Sequence, residues 1–205
     1  MNGNFAITIA RQYGSGGFFI GREVAKILQI QFYDKELLEI ASKKSGIEKD
    51  FFEQSDEITK ISVSGVFQDG IAGAFGSDYN ISHSMFEIQS NIIKILARKS
   101  SAVFVGRAAD YVLRNNPNLL TVFVCASIED RKQRVSSKEN FGENKATSVI
   151  EKTDKQRSRY YNFYTGKPWN LPSSYHICVN TSFINLHLAA KFISDVAKEK
   201  FNLAK

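Results

Sequence analysis

Cysteine, histidine and long apolar runs are all scarce in this chain of 205 residues, and each shortage removes a class of explanation. The two cysteines, Cys125 and Cys178, lie far apart inside apolar runs and lack CxxC spacing. They read as reduced core residues, which fits a cytosolic compartment. His83, His176 and His187 show no metal-ligand spacing and read as structural or surface groups, so no metal site is expected. No hydrophobic stretch approaches the span of a bilayer, and the first residues lack the charged-then-apolar order of a secretory leader. The expectation is a soluble, cytoplasmic protein without a membrane partner. An aromatic-basic nucleic-acid module is also missing. The formal charge of +6 arises from cations mixed with acids along helices, which favours phosphorylated small molecules over nucleic acid.

The most informative shortage is local. Ile7 to Gly17 reads Ile-Thr-Ile-Ala-Arg-Gln-Tyr-Gly-Ser-Gly-Gly. An apolar run at Phe5 to Ala10, four small residues (Gly14, Ser15, Gly16, Gly17) and the periodic Ile20, Val24, Ile27 and Leu28 predict strand, glycine loop and helix. Such a loop turns backbone N–H groups inward at a helix N-terminus and suits a polyphosphate. The Walker pattern ends in Gly-Lys-Ser/Thr. With Gly14-Ser15-Gly16 laid on that ending, Gly17 takes the lysine position, Phe18 the magnesium-ligating hydroxyl position and Arg11 the first glycine. Only the backbone half of the motif survives. Arg11 is the candidate replacement cation, since a guanidinium grips phosphate oxygens in a fork; a ligand-free glycine turn is the other reading.

With 43% hydrophobic content the chain can bury one substantial core. A single domain is expected over 1–205. Further strands are predicted at Gln31 to Tyr33, Ala102 to Val105, Leu119 to Cys125 and Tyr175 to Val179. Helices are predicted from Asp34 to Lys44, Glu48 to Gln54, Ser82 to Lys99, Ser127 to Val135 and Leu186 to Phe201, with a mobile, aperiodic stretch from Ser62 to Asn80. Short apolar strands alternating with helices imply an α/β fold with a parallel sheet covered on both faces. Ligands of such sheets sit at the carboxyl edge. That edge gathers the glycine loop, Asp34, Gly106-Arg107, Ser127 and Asn180-Thr181-Ser182.

Four segments together carry a family resemblance. Arg11 to Gly17, Phe-Tyr-Asp-Lys-Glu-Leu at Phe32 to Leu37, Val-Gly-Arg-Ala-Ala-Asp at Val105 to Asp110, and Asp-Lys-Gln-Arg-Ser-Arg-Tyr-Tyr at Asp154 to Tyr161 resemble the cytidylate kinase-like family. The resemblance implies a P-loop nucleoside monophosphate kinase fold: a three-layer sandwich on a five-stranded parallel sheet. It also implies a small acceptor-side insertion at about 45–82 and a helical, basic lid at about 136–166. The implied reaction is transfer of the γ-phosphoryl of ATP, with Mg2+, to CMP, dCMP or a related small acceptor.

Carried over residue by residue, the resemblance places Gly14, Ser15, Gly16 and Gly17 on the donor phosphates, through backbone N–H groups and the Ser15 hydroxyl. Thr181 falls where the donor base is bound. Asp34 begins the acceptor segment, where Lys35-Glu36 replaces the Thr-Gly of cytidylate kinases; Lys35 is then free to face an acidic group, and Asp34 reads equally as a helix cap. Arg107 faces the acceptor, and Asp110 either pairs with it or helps hold hydrated magnesium. Arg131 and Arg134 share a helical face, as do Ile150, Asp154, Arg157 and Tyr161, with Lys155 and Arg159 beside them. Cations converging there would stabilise a phosphoryl group in transfer, which makes Arg11, Arg107, Arg157 and Arg159 the catalytic candidates. Asp154 would orient Arg157 or meet a sugar hydroxyl. The alternative for each basic residue is a solvated helix face.

The aromatic cluster Tyr160, Tyr161, Phe163, Tyr164 and Trp169 is expected to pack the lid hinge against the core, with stacking on a base as the other reading. Two function classes therefore stand: a phosphotransferase, or a nucleotide-binding pseudokinase acting as sensor or partner. The long apolar helix from Ser82 would serve a homodimer as readily as a core.

Overall fold

The computed structural model describes residues 3–34, 79–140 and 142–203. Five strands, β1 (Ala6–Arg11), β2 (Gln31–Tyr33), β3 (Ala102–Val105), β4 (Leu119–Cys125) and β5 (Ile177–Asn180), form one parallel sheet in the order β2-β3-β1-β4-β5. The glycine-loop strand is therefore central. Six helices connect them among the described residues: α1 (Gly17–Leu28), α2 (Tyr79–Lys99), α3 (Ala109–Val112), α4 (Ile128–Glu139), α5 (Glu143–Thr165) and α6 (Leu186–Lys200).

Side-chain alternation along β1 creates two cores. Ile7 and Ile9 face α1 and α6 and pack with Ile20, Val24, Ala189 and Ile193. Ala6 points to the opposite face, beneath Ile88, Ile92 and Ile93 of α2 and Phe104 of β3. This is why the strands read as unbroken apolar runs: both faces are covered. The apolar face of α2, a candidate dimer surface by sequence, is buried on the sheet, although Ile95 remains exposed.

The predicted strands occur, with local shifts that have local causes. β2, β3 and β4 match their predicted bounds. β5 begins at Ile177 because Tyr175 ends a 3-10 turn, Pro172–Ser174, and buries its ring with its hydroxyl donating to the Trp169 carbonyl at 2.6 Å. Ser127 caps α4 by accepting from the Asp130 N–H, and Asn185 caps α6 by accepting from the Leu188 N–H. The expected core placement of the cysteines needs correcting. Cys125, at the carboxyl end of β4, is half-buried, and Cys178 is exposed because β5 is an edge strand with one flank open to solvent.

Tyr79 and Asn80, assigned by sequence to an aperiodic stretch, already belong to α2. The helices expected at 35–44 and 48–54, the rest of that stretch, and Lys35 lie outside the described residues. No described helix is long and apolar enough to cross a membrane.

Candidate functional site

The sheet register brings the candidate residues to one edge. The Gly106 N–H donates to the Ile9 carbonyl, so the end of β3 lies abreast of Ala10 and Arg11. Arg11 pairs with Val124, Cys125 pairs with Asn180, and Tyr33 pairs with Phe104, which brings Asp34 alongside.

In the glycine loop, Gly14 (φ +78°) and Gly16 (φ +82°) adopt left-handed backbone that side chains disfavour. The carbonyl groups on this loop are held from behind. Arg131 Nη1 donates to the Tyr13 carbonyl at 3.4 Å, Arg134 Nη1 to the Gly14 carbonyl at 3.3 Å, and Thr181 Oγ1 to the Ser15 carbonyl at 2.9 Å. Arg134 is itself fixed on Thr181, donating to its hydroxyl and carbonyl at 2.8 Å each. Asp154 completes the frame: one carboxylate oxygen accepts from the Tyr13 N–H at 2.7 Å and the other pairs with Arg131 at 2.5 Å. Conversely, the N–H groups of Gly14, Gly16, Gly17, Phe18 and Phe19 have no acceptor among the described residues. Donors left open at a helix N-terminus form an anion cradle.

Arg131, Arg134, Thr181 and Asp154, expected to touch nucleotide or acceptor, are thus engaged with the loop itself. The Ser15 hydroxyl is also turned inward, donating to the Gln12 carbonyl at 2.8 Å, so the cradle consists of backbone groups. Arg131 Nε is buried without a hydrogen-bond partner among the described residues.

The missing lysine has a steric cause. A Cβ on Gly17 would lie 2.5 Å from the Cβ of Arg11, so any side chain at the lysine position collides with Arg11. The two cations exclude one another. Arg11 rises from the end of β1 and seats its guanidinium against Gly106, where an added Cβ would overlap Nη1. Its charge therefore enters from the β3 side. Phe18, at the hydroxyl position, is half exposed and sets its ring edge-on against Phe32.

Arg107 and Arg157 flank Arg11. Gly106, Arg107 and Ala108 have φ of +83°, +58° and +50°, a left-handed turn that costs about 1–2 kcal/mol for each non-glycine residue. The turn aims Arg107 from the strand end, over the Tyr160 ring at 5.8 Å. Arg157 Nη1 donates to the Arg11 carbonyl at 2.9 Å, and its guanidinium lies over the Tyr13 ring at 5.5 Å. Burial, then Arg157 and Arg107, push Arg11 well below the ordinary arginine value, against the opposite pull of Asp34 and Asp154. Burial likewise lowers Arg157, with Asp154 pulling it back up. Three cations held this close create a strongly anion-attracting point.

The structure separates the remaining candidates from this point. Arg159 is exposed, on a different side of α5 from Arg157 and Tyr161. Asp110 accepts from the Tyr161 hydroxyl at 2.6 Å rather than pairing with Arg107, and burial raises its pKa. The aromatic cluster packs inward except for Phe163, which is exposed. Tyr161 and Trp169 join Phe123 and Tyr175 in a buried core, while Tyr164 stacks on Phe86 of α2. Sequence reasoning missed Tyr13 and Tyr160 as partners of the arginines. No local signal could have paired them, because each ring lies far along the chain from the arginine it meets.

Comparison with known proteins identifies the family and the fold. The sequence pattern of the cytidylate kinase-like family matches residues 6–183. The chain belongs to that family. An uncharacterised protein from Eubacterium ventriosum is similar at 27% identity, over 95% of this chain and 99% of its own, with a TM-score of 0.70. A shikimate kinase from Acinetobacter baumannii, solved with shikimate, shares the fold at 14% identity and a TM-score of 0.53, covering 100% of this chain and 97% of its own. Another from Bacteroides thetaiotaomicron does so at 15% and 0.52, covering 97% and 99%. No curated protein matches the sequence. Membership of the cytidylate kinase-like family on a P-loop kinase fold points to nucleotide-dependent phosphoryl transfer; the acceptor is not named by either.

Proposed function

We propose that the protein transfers the γ-phosphoryl group of ATP to a small acceptor, with a CMP- or dCMP-like nucleoside monophosphate as the first acceptor to consider. One observation supports this reading: loop N–H groups without an acceptor among the described residues border three clustered arginines, Arg11, Arg107 and Arg157. Donors and cations fixed before the ligand arrives are what phosphoryl transfer requires, because that chemistry depends on positioning and charge stabilisation.

In this reading the backbone of Gly14 to Gly17 and the N-terminus of α1 hold the donor phosphates. Mg2+ would enter with the nucleotide and neutralise the same oxygens, since Phe18 offers no ligand. Arg11 and Arg157 lie between loop and acceptor, and Arg107 together with Asp34 faces the acceptor. The α4–α5 pair is the lid, held to the loop through Asp154.

Purified protein incubated with ATP, magnesium and the common nucleoside monophosphates, then with hydroxy acids including shikimate, tests the reading. Product from one acceptor is expected. Tight ATP binding with no product from any acceptor replaces it with the pseudokinase reading, and absence of nucleotide binding overturns both. The Arg11→Ala variant is expected to lower turnover by about 100-fold, the scale of losing one transition-state donor, with nucleotide affinity changing far less.

A further inference from the structure

The three central arginines are held in an unusual way. A guanidinium beside a phosphate site is ordinarily steadied by a carboxylate, which also cancels its charge. Among the described residues neither Arg107 nor Arg157 is in an ion pair with a carboxylate; Asp154, the nearest acid on α5, pairs with Arg131. Each instead lies over a tyrosine ring, Arg157 on Tyr13 at 5.5 Å and Arg107 on Tyr160 at 5.8 Å, where the Tyr160 hydroxyl also accepts from Arg107. Both distances fall within the range where a ring face attracts a cation.

The two rings are fixed independently. Tyr13 has its N–H on Asp154 and packs against Val135, Ala146 and Ile150. Tyr160 donates its hydroxyl to Gln89 Oε1 at 3.3 Å and lies against Phe86 of α2. Arg157 has one further tether, the hydrogen bond to the Arg11 carbonyl.

We infer that Tyr13 and Tyr160 are positioning residues that hold Arg157 and Arg107 by their ring faces, keeping both guanidinium groups charged and open for a phosphoryl-type dianion beside the glycine loop. The physical distinction is one of charge. A ring face attracts the cation without accepting its N–H donors or neutralising it, whereas a carboxylate does both. The inference rests on the proposed phosphoryl-transfer reading and adds to it how the cations are aimed.

The test uses the full-length protein saturated with ADP, which fills the loop, and inorganic phosphate as the probe titrated by calorimetry. Tyr160→Leu and Tyr13→Leu are expected to weaken phosphate binding about 5- to 10-fold while ADP affinity changes less than about 2-fold. The ring-preserving Tyr13→Phe variant is expected to recover it, and Tyr160→Phe to recover it in part, since the Tyr160 hydroxyl also bonds Arg107. In the Arg107→Ala background, Tyr160→Leu should have no further effect, because its partner is gone. Thermal melting identifies a variant that has lost its fold; Tyr→Met, which fills the space without a ring, then replaces Tyr→Leu. Unchanged phosphate affinity in the ring-less variants, an equal loss of ADP affinity, additivity with Arg107→Ala, or no phosphate binding by ADP-loaded wild type overturns the inference. Failure of wild type to bind ADP is a separate result and removes the phosphoryl-transfer reading itself.

Discussion

Five arginines lie around the glycine loop, and they divide into two sets. Arg131 and Arg134 approach from α4 and bind the loop's carbonyl oxygens, with Arg131 neutralised by Asp154. Arg11, Arg107 and Arg157 approach from the strand ends and α5, repel one another, and rest on a glycine, a carbonyl and two rings. The first set builds the cradle by pointing carbonyls away from it; the second supplies the charge that a ligand meets. Identical side chains thus do different work, decided by the side of the loop from which each approaches.

The contrast breaks if both sets respond alike to substitution. Removing Asp154 should give the largest effect. Its pair with Arg131 has side chains only 10% and 18% exposed, and breaking such a pair from one side costs about 3–5 kcal/mol because the other charge stays buried. Asp154→Ala should therefore show a large fall in unfolding free energy by urea titration. Arg157→Ala, in the other set, should stay within about 1 kcal/mol of wild type, since relief from Arg11 and Arg107 offsets the lost hydrogen bond. Equal destabilisation by the two variants would erase the division.

Gly106→Ala tests the seat of Arg11. The new Cβ adopts left-handed backbone and meets the guanidinium, for an expected loss of about 2–3 kcal/mol. Adding Arg11→Ala removes the collision and leaves only the backbone strain, so the double variant should regain about half of that loss. Strict additivity in the denaturation midpoints would show that Arg11 does not occupy this position. At the cradle, Thr181→Val takes away the hydroxyl donated to the Ser15 carbonyl and leaves that carbonyl unpaired. The expected cost is about 1–2 kcal/mol, together with weaker ADP binding as the loop loses its shape.

Much of this arrangement is legible in the sequence, and its gaps follow one rule. Strand, loop and helix at Phe5 to Leu28 show in local periodicity and glycine placement, because those features act over a few residues. The helical face shared by Asp154, Arg157 and Tyr161 is likewise local. What Arg131 or Asp154 touches is not, since its partners lie 118 and 141 residues away at Tyr13. A helical wheel shows that a side chain faces inward but not whether it meets a ligand or a carbonyl. The missing lysine shows the same limit. The sequence reveals the gap at Gly17, but that Arg11 fills that space and reaches toward Gly106 becomes visible only when β1 and β3 are in register.

The smallest expected effect lies behind the charged site, at Asp110. Burial raises its pKa above the ordinary carboxylate value, outweighing the hydrogen bond from Tyr161, which lowers it. A carboxyl whose folded pKa is raised binds more protons in the native state than in the unfolded state. Stability from this group is fully present below the unfolded carboxylate pKa and is lost as pH rises through the raised folded value. Asp110→Asn retains an oxygen that can accept from the Tyr161 hydroxyl but cannot ionise. It should melt higher than wild type at pH 7 and no higher near pH 3, where the wild-type carboxyl is protonated in both states. A constant offset at both pH values would assign the gain to packing and detach Asp110 from any electrostatic role beside the arginines.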